Sequence, residues 1–600
     1  MKAQSNDNLP EIKEGEWVKK NKGYTYVYLR RYYYNADTKN TTIISSTLLY
    51  KLDKDGNRVP TRKKAKMSNK TKSKICEIEA SRVKVGGMEL LNHIGKISGI
   101  DQDLYDITVD NSMAQKILSI ARYWIYTGGN TLPGIEEFQL VHTLPYLSGI
   151  TEDIYHDLFE KIGLDTNLVQ NYFKKRIDFC DCAIIIAYDA SAESTYGHIP
   201  FATAGFDKEG IGIPTIKYIV LYSISNNQPI AYTRSSGNIS DVSTVLNALL
   251  ELEALGAKVI DEVVTDNGYA SDFNFATYVI HGFNYLTRAK NSWTWIKKLI
   301  DNNYKKLGKP SSYCDAEKVM SGIQVKDVRH VSYTFPEDWR EHKAGETIEV
   351  DVDLNVFIYR NSKEKEKEDR EFRFDISELM NKLNSGVNLN QLSANEIKAA
   401  KKYLNLRKTQ TENVYTATMN NSAIERVNRY HGILVLVGSK DRTTENALSV
   451  YRLREKIEED INIKKDDCDG KRPRVWSEKT YDGKLFVQFV AMGYYHVFYR
   501  ELNRIKKEIE EILLDPKGHK IISDELTIYR KLKTWLHDKS LKQILNWFDN
   551  KEMTTIHTSY AKRVITSETT KRDDLFVDLF MKDSSKKIDT AEAAGEQEQK

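Results

Sequence analysis

Cysteine and proline are scarce in this chain, and long apolar runs are missing. Only 5 of its 600 residues are cysteine and 11 are proline, beside 31 glycines, which excludes collagen-like and low-complexity chains. The cysteines (Cys76, Cys180, Cys182, Cys314, Cys468) are scattered and odd in number. No CxxC pair exists, and Cys180-x-Cys182 has no second pair to complete a site. Neither a disulfide framework nor a zinc knuckle is therefore expected, only thiols in a reducing compartment. No segment approaches the ~18 apolar residues of a membrane helix, and Met1 to Lys20 is too polar for a signal peptide. The expectation is a soluble intracellular protein. Charge of one sign is lacking too: 89 lysines and arginines face 85 acids, a net +4. That balance excludes a histone-like polycation, so any nucleic-acid surface must come from local clustering.

What is present is enough apolar material for several cores, 40% hydrophobic and 10% aromatic residues, in roughly three to five domains. Residues Trp17 to Leu52 alternate in β-rich runs closed by the turn Asp53-Lys54-Asp55-Gly56-Asn57, a hairpin-rich module. Arg62 to Lys74 then holds seven basic residues and no acid. Arg62, Lys63, Lys64 and Lys66 open it, and the run reads as a phosphate-binding arm or as an ordinary solvated loop. Asn111 to Phe173 has helical spacing. From Ala183 to Tyr188 a continuous apolar run ends in Asp189, as in a strand buried on both faces. Strands at Thr215 to Ile224 and Pro229 to Thr233, a helix opened by Asp241, and a strand from Val259 to Thr265 ending at Asp266 come next. A further helix and a strand to Arg288 complete a mixed sheet flanked by helices. The pattern breaks from Asn291 to Arg429, where Lys363 to Arg370 reads as a solvated segment. It resumes with a strand from Gly432 to Val437 and one long helix from about Thr443.

Asp189 and Asp266 each close a predicted strand, on strands that this order sets side by side. A single such aspartate is usually a turn residue or a cap. A pair repels unless a cation neutralises it, and clustered carboxylates suit a hard divalent ion whose remaining ligands are phosphate and water. On the long helix, Tyr451, Arg454, Glu458 and Lys465 fall within an arc of about 60°. By itself that is the solvated face of a helix with an Arg454–Glu458 ion pair. The alternative is a metal-binding carboxylate among groups that hold a DNA strand.

The four residues reproduce the spacing Y-x2-R-x3-E-x6-K, and here the chain resembles the bacterial insertion-sequence transposases with an acidic DDE triad. Val263 to Tyr269 is similar to the second-Asp region of that family, Gly237-Asn238-Ile239-Ser240-Asp241 to its Gly-Asn-x-x-Asp segment, and Tyr188-Asp189 stands at the first-Asp position. Lys471 to Trp476 and Phe486 to Phe489 resemble the family's segment C-terminal to the Glu helix. Asn267, where an arginine is common, and Ala190-Ser191-Ala192-Glu193 depart from the pattern.

The resemblance implies an α/β, RNase H-like catalytic core with a large insertion before the Glu helix. The implied layout is a β-rich module with its basic arm (1–85), a helical DNA-end-binding region (86–175), a core in two parts (176–290 and 430–515) around the insertion (291–429), a C-terminal helical region (516–581) and a disordered tail (582–600). It implies that Asp189, Asp266 and Glu458 hold two Mg²⁺ ions, or Mn²⁺ in their place. Tyr451, Arg454 and Lys465 would grip the DNA end, often through a hairpin, with Trp293 or Trp295 stacking on a base or simply packing in the core. The partners would be the element's terminal inverted repeats and target double-stranded DNA, met by a homodimer, with no membrane and no nucleotide cofactor, in the bacterial cytoplasm at the nucleoid. Two rivals stand beside this reading. One is another RNase H-like nuclease such as a resolvase; the other is a non-catalytic DNA-binding protein derived from a transposase.

Overall fold

The computed structural model describes residues 13–21, 23–35, 39–59, 79–180, 184–203, 212–224, 226–239, 244–255, 260–315, 319–470, 472–519, 521–557 and 562–582. The arm with Arg62, Lys63, Lys64 and Lys66, the tail beyond Lys582, and Asp241 as a helix cap lie outside them. The chain divides into two compact units, residues 1–79 with 557–561, and the remainder.

The first unit is a four-stranded antiparallel sheet in the order β1 (Lys13–Asn21), β2 (Tyr24–Asn35), β3 (Asn40–Leu52), β4 (Arg58–Val59). Among its described residues only Val27 is buried.

The second unit begins with β5 (Glu79–Lys84) and a set of helices. Of these, Asn111–Thr127 is capped by the Asp110 carboxylate at one end and by left-handed Gly128 at the other, as capping chemistry requires. These helices pack on the 37-residue helix Glu478–Leu514, whose middle is buried on all sides. Next comes a nine-stranded mixed sheet. Its first half is β6 (Ile184–Ser194), β7 (Thr215–Ser223), β8 (Gln228–Ser236), β9 (Ile260–Thr265) and β10 (Tyr285–Arg288), adjacent in the order β10-β9-β6-β7-β8. β6, β9 and β10 run parallel, while β7 and β8 form an antiparallel hairpin beside β6. Ile186, Ala187, Tyr188, Val263 and Val264 are fully buried there, because both sheet faces are covered.

The stretch from Asn291 to Arg429 is ordered where the sequence loses its pattern. It supplies β11 (Tyr313–Asp315), β12 (Met320–Thr334) and β13 (Thr347–Asn361), and these continue the same sheet through β16 (Ile433–Gly438) to β10. The outer half of β12 alternates exposed residues (Lys326, Val328, His330, Ser332, Thr334) with half-buried or buried ones, two of which, Asp327 and Arg329, are charged, and this mixture hides it from an apolar-run reading. Lys363 to Arg370, read as a solvated segment, is the start of helix Ser362–Asn384. The Asn361 side chain accepts from the Lys363 and Glu364 amides there, and Lys365 pairs with Asp369 at 2.8 Å one turn on. The segment is exposed, but its charges stand at helical spacing. With β14 (Leu404–Lys408) and β15 (Tyr415–Met419) this helix encloses a second, smaller core around Ile376, Leu383 and Leu404. Towards the C-terminus β17 (Glu552–His557) pairs with β5 on one side and with β18 (Lys562–Thr566) on the other.

The long helix predicted from Thr443 is two helices, Thr444–Leu453 and Glu455–Asp467, meeting at Arg454. The Arg454 amide bonds to the Tyr451 carbonyl and the Ile457 amide to the Arg454 carbonyl, a three-residue spacing that tightens the chain at the junction.

Candidate active site

The last parallel pair between β6 and β9 is Tyr188 with Thr265. Asp189 and Asp266 are the next residue on each strand, so register alone sets them side by side. Asp266 opens the turn after β9. Asp189, however, does not end its strand: β6 runs on to Ser194 against β7, because Ala190, Ser191, Ala192 and Glu193 keep strand alternation.

The helix junction brings the other groups to this edge. The Arg454 side chain, 7% exposed, donates from Nη2 to Glu458 Oε1 at 2.6 Å and reaches Asp189 Oδ2 from Nη1 at 3.5 Å. The buried Tyr451 donates its hydroxyl to Asp266 Oδ1 at 3.1 Å. Each of the three acids is thus touched by Tyr451 or Arg454. Arg454 Nε is buried with no hydrogen-bond partner, a donor whose desolvation costs about 1–3 kcal/mol until an acceptor arrives.

Burial pushes the Asp189 carboxyl up to about 6. Arg454 and the Ala190 amide pull against it, and the charges of Asp266 and Glu458 add to it. All three acids therefore share one field. Burial also raises the Tyr451 hydroxyl to about 12, with Asp266 contributing. Burial works against the charge on Arg454, yet the surrounding Tyr451, Asp266, Glu458 and Asp189 more than offset it and hold the guanidinium protonated.

Lys465 lies two turns beyond Glu458, partly exposed, about 10 Å along the helix axis. Trp293 and Trp295 are half-buried and stacked at 5.7 Å, with the Arg329 guanidinium 5.0 Å from the Trp295 ring.

Two features carry no sequence motif. Arg288 is exposed at the end of β10, one residue past the Thr287–Thr265 pair, and its charge acts on Tyr451. Behind the acids, Lys464 pairs with Glu193, both buried, and Tyr481 donates to Glu193 at 3.3 Å. Ten residues of helix from Arg454 to Lys464 advance about 15 Å, and four of strand from Asp189 to Glu193 about 13 Å. The two ion pairs therefore fix helix Glu455–Asp467 alongside β6 at two points. The only hint in the sequence is that Glu193 lies on the same strand face as Asp189.

Among the described residues no group of three His, Cys, Asp or Glu side chains stands close enough to hold a metal ion; a guanidinium sits among these acids instead. The donor set is nonetheless all carboxylate oxygen, the chemistry that a hard divalent cation takes.

No curated protein matches the chain. A solved structure, a cryo-EM structure of a piggyBac transposase synaptic complex with hairpin DNA, aligns with 79% of this chain and 82% of its own. At 6% identity and a TM-score of 0.35, that likeness is too weak to bear on fold or function. The family model for the Transposase DDE domain matches residues 181–478, from just before β6 to just after the Glu458 helix. Residues 181–478 are thus similar to a DDE-type transposase domain, the kind that belongs to DNA transposition and recombination.

Proposed function

We propose that the protein is the transposase of a bacterial insertion sequence, which binds the element's terminal inverted repeats, cuts the DNA there and joins the freed end to a target. The observation that carries this reading is the convergence of Asp189, Asp266 and Glu458 on Tyr451 and Arg454 at one sheet edge, inside the matched domain. The strand order β8-β7-β6-β9-β10 supports an RNase H-like core.

Asp189, Asp266 and Glu458 would hold the divalent ions, Mg²⁺ or Mn²⁺. Ions bound there supply Lewis acidity and activation of water or of a 3′-hydroxyl for in-line attack at phosphorus. The chain's own residues prepare the edge for that. Partial burial desolvates Asp189, Tyr451 orients the Asp266 carboxylate, and Arg454 neutralises Asp189 and Glu458 in the resting arrangement. Arg454 is also a phosphate ligand by its planar fork. With Lys465 and Arg288 it would give the site a basic side against which a DNA end would lie, by a hairpin route or without one. The arm of Arg62, Lys63, Lys64 and Lys66 would add phosphate contacts, and the active assembly would be a homodimer.

Glu458→Gln keeps size and helix but removes a charge. On labelled end-sequence DNA with Mg²⁺ it should reduce cleavage and joining about 10²-fold or more while end binding persists. Arg454→Ala and Lys465→Ala should retain part of the hydrolysis and lose more in handling of the DNA end. Undiminished cleavage by Glu458→Gln would refute the triad. A second reading, a non-catalytic DNA-binding descendant of a transposase, draws on the absence of a three-acid metal group among the described residues. It predicts end binding with no cleavage by the unaltered chain in either Mg²⁺ or Mn²⁺. A nuclease of the resolvase kind would cut but never join.

A further inference from the structure

One face of the sheet of the first unit gathers aromatic rings and cations and carries no acid; the other, with Tyr33, Tyr50 and Arg58, carries both acids. Residues paired across strands share a face, as do residues two apart along a strand. Trp17 pairs with Tyr28, Lys19 with Tyr26, and Tyr26 with Lys51. Along β2 the same face continues through Tyr24 and Arg30 to Tyr34. It is rich in aromatic rings and cations, with Leu48 and Ile43 of β3 opposite Tyr28 and Tyr32. The only acids in these four strands, Glu14 and Glu16, alternate onto the opposite face.

The rings are not a core. None of them is buried, and Trp17, Tyr24 and Tyr34 are 37%, 38% and 60% exposed. The cations lie within the ring layer: the Arg30 guanidinium carbon is 3.5 Å from the Trp17 centroid, and Lys51 Nζ is 3.5 Å from that of Tyr24. Trp17 and Tyr28 stand 5.8 Å apart.

We propose that this face is a binding platform for single-stranded DNA. A base has a free π-face only when unpaired, and rings side by side on a sheet stack on successive bases. Each base is followed by a phosphate, and a cation beside each ring meets that charge. Duplex DNA offers the rings nothing to stack on. The absence of any acid from the face matches a polyanion. The site is separate from the acids of the second unit and does not depend on the chemistry proposed for them.

The test uses the full chain in EDTA, so that no strand can be cut. Binding of fluorescein-labelled oligo-dT is followed by anisotropy against a duplex of equal length and against anionic phosphatidylglycerol vesicles. Trp17→Ala with Tyr28→Ala should weaken oligo-dT binding tenfold or more, whereas Tyr28→Phe, which keeps the ring, and Glu16→Gln on the far face should not. Should the double variant fail to fold, Arg30→Gln with Lys51→Gln replaces it and should also flatten the salt dependence, whose slope is about 0.7 per phosphate neutralised on a single strand. Ultraviolet cross-linking to a bromodeoxyuridine oligonucleotide should place adducts on residues 13–35. Oligo-dT affinity unchanged in the folded variants, adducts only elsewhere, tighter binding of duplex through the same residues, or vesicle binding without oligonucleotide binding would each overturn the proposal. Glu458→Gln should leave this binding intact, so a failure here and a failure of the triad are read separately.

Discussion

At Asp189, burial outweighs the pull of the Arg454 guanidinium, and the carboxyl ionises near 6 instead of its ordinary 3.8. The unfolded chain loses that proton at the lower value. The charged form therefore costs stability at pH above 6; the cost shrinks as pH falls and is gone below 3.8. Asp189→Asn, neutral at every pH, should stabilise the metal-free protein by up to about 3 kcal/mol at pH 8 and by almost nothing at pH 3.5. Urea unfolding in EDTA at the two pH values measures it, and an equal effect at both would show that the carboxyl is not held up. Function runs in the opposite sense. Under the function proposed above, a cation needs the ionised carboxylate, so metal binding should weaken and DNA cutting decline as acid protonates Asp189.

Between elements, the helix Glu455–Asp467 is held to β6 by Arg454–Asp189 at one end and by Lys464–Glu193 at the other. Removing one member of the buried pair leaves an uncompensated charge in the core. Lys464→Met or Glu193→Leu alone should destabilise by about 3–5 kcal/mol, while the two together should recover most of it; thermal unfolding of the three variants makes the comparison. A second tight contact lies between helices Glu152–Leu164 and Glu478–Leu514. A Cβ on Gly483 would run into the Phe159 carbonyl, and one on Gly163 into that of Lys479. Either glycine to alanine should cost about 1–3 kcal/mol, measured by the same melts. These elements differ in how plainly the sequence shows them. β6 and β9 stand out as apolar runs because both of their faces are covered, and the acids stand out because each follows such a run. Glu193 and Lys464 do not, because a buried ion pair reads as two ordinary surface charges until the partner is known. The break at Arg454 is equally silent, since no glycine or proline marks it.

On the scale of the whole molecule, the nine-stranded sheet joins parts of the chain far apart in sequence. Its parallel half is legible as strands alternating with helices. Its extension through β11, β12 and β13 is not, because strands of 15 residues that are buried mainly at one end carry their charges in the other half. The segment between β10 and β16 is therefore not a bead on a linker. β13 lies along the far side of β16 over six paired residues, Asn355 to Arg360. Cutting out 291–429 would bare that edge, so such a deletion should aggregate instead of yielding a trimmed, folded protein; its soluble yield and light scattering against the full chain give the answer.

The same pairing sets a clock on synthesis. β10 needs β16 as its antiparallel neighbour, and the ribosome reaches Ile433 about 145 residues after Arg288, which at ordinary elongation rates is roughly 7–30 s. For that interval the N–H and C=O groups on that edge of β10 lack their strand partner. The order of events at the tunnel exit, as much as the final energy, therefore decides how much of the protein reaches this fold.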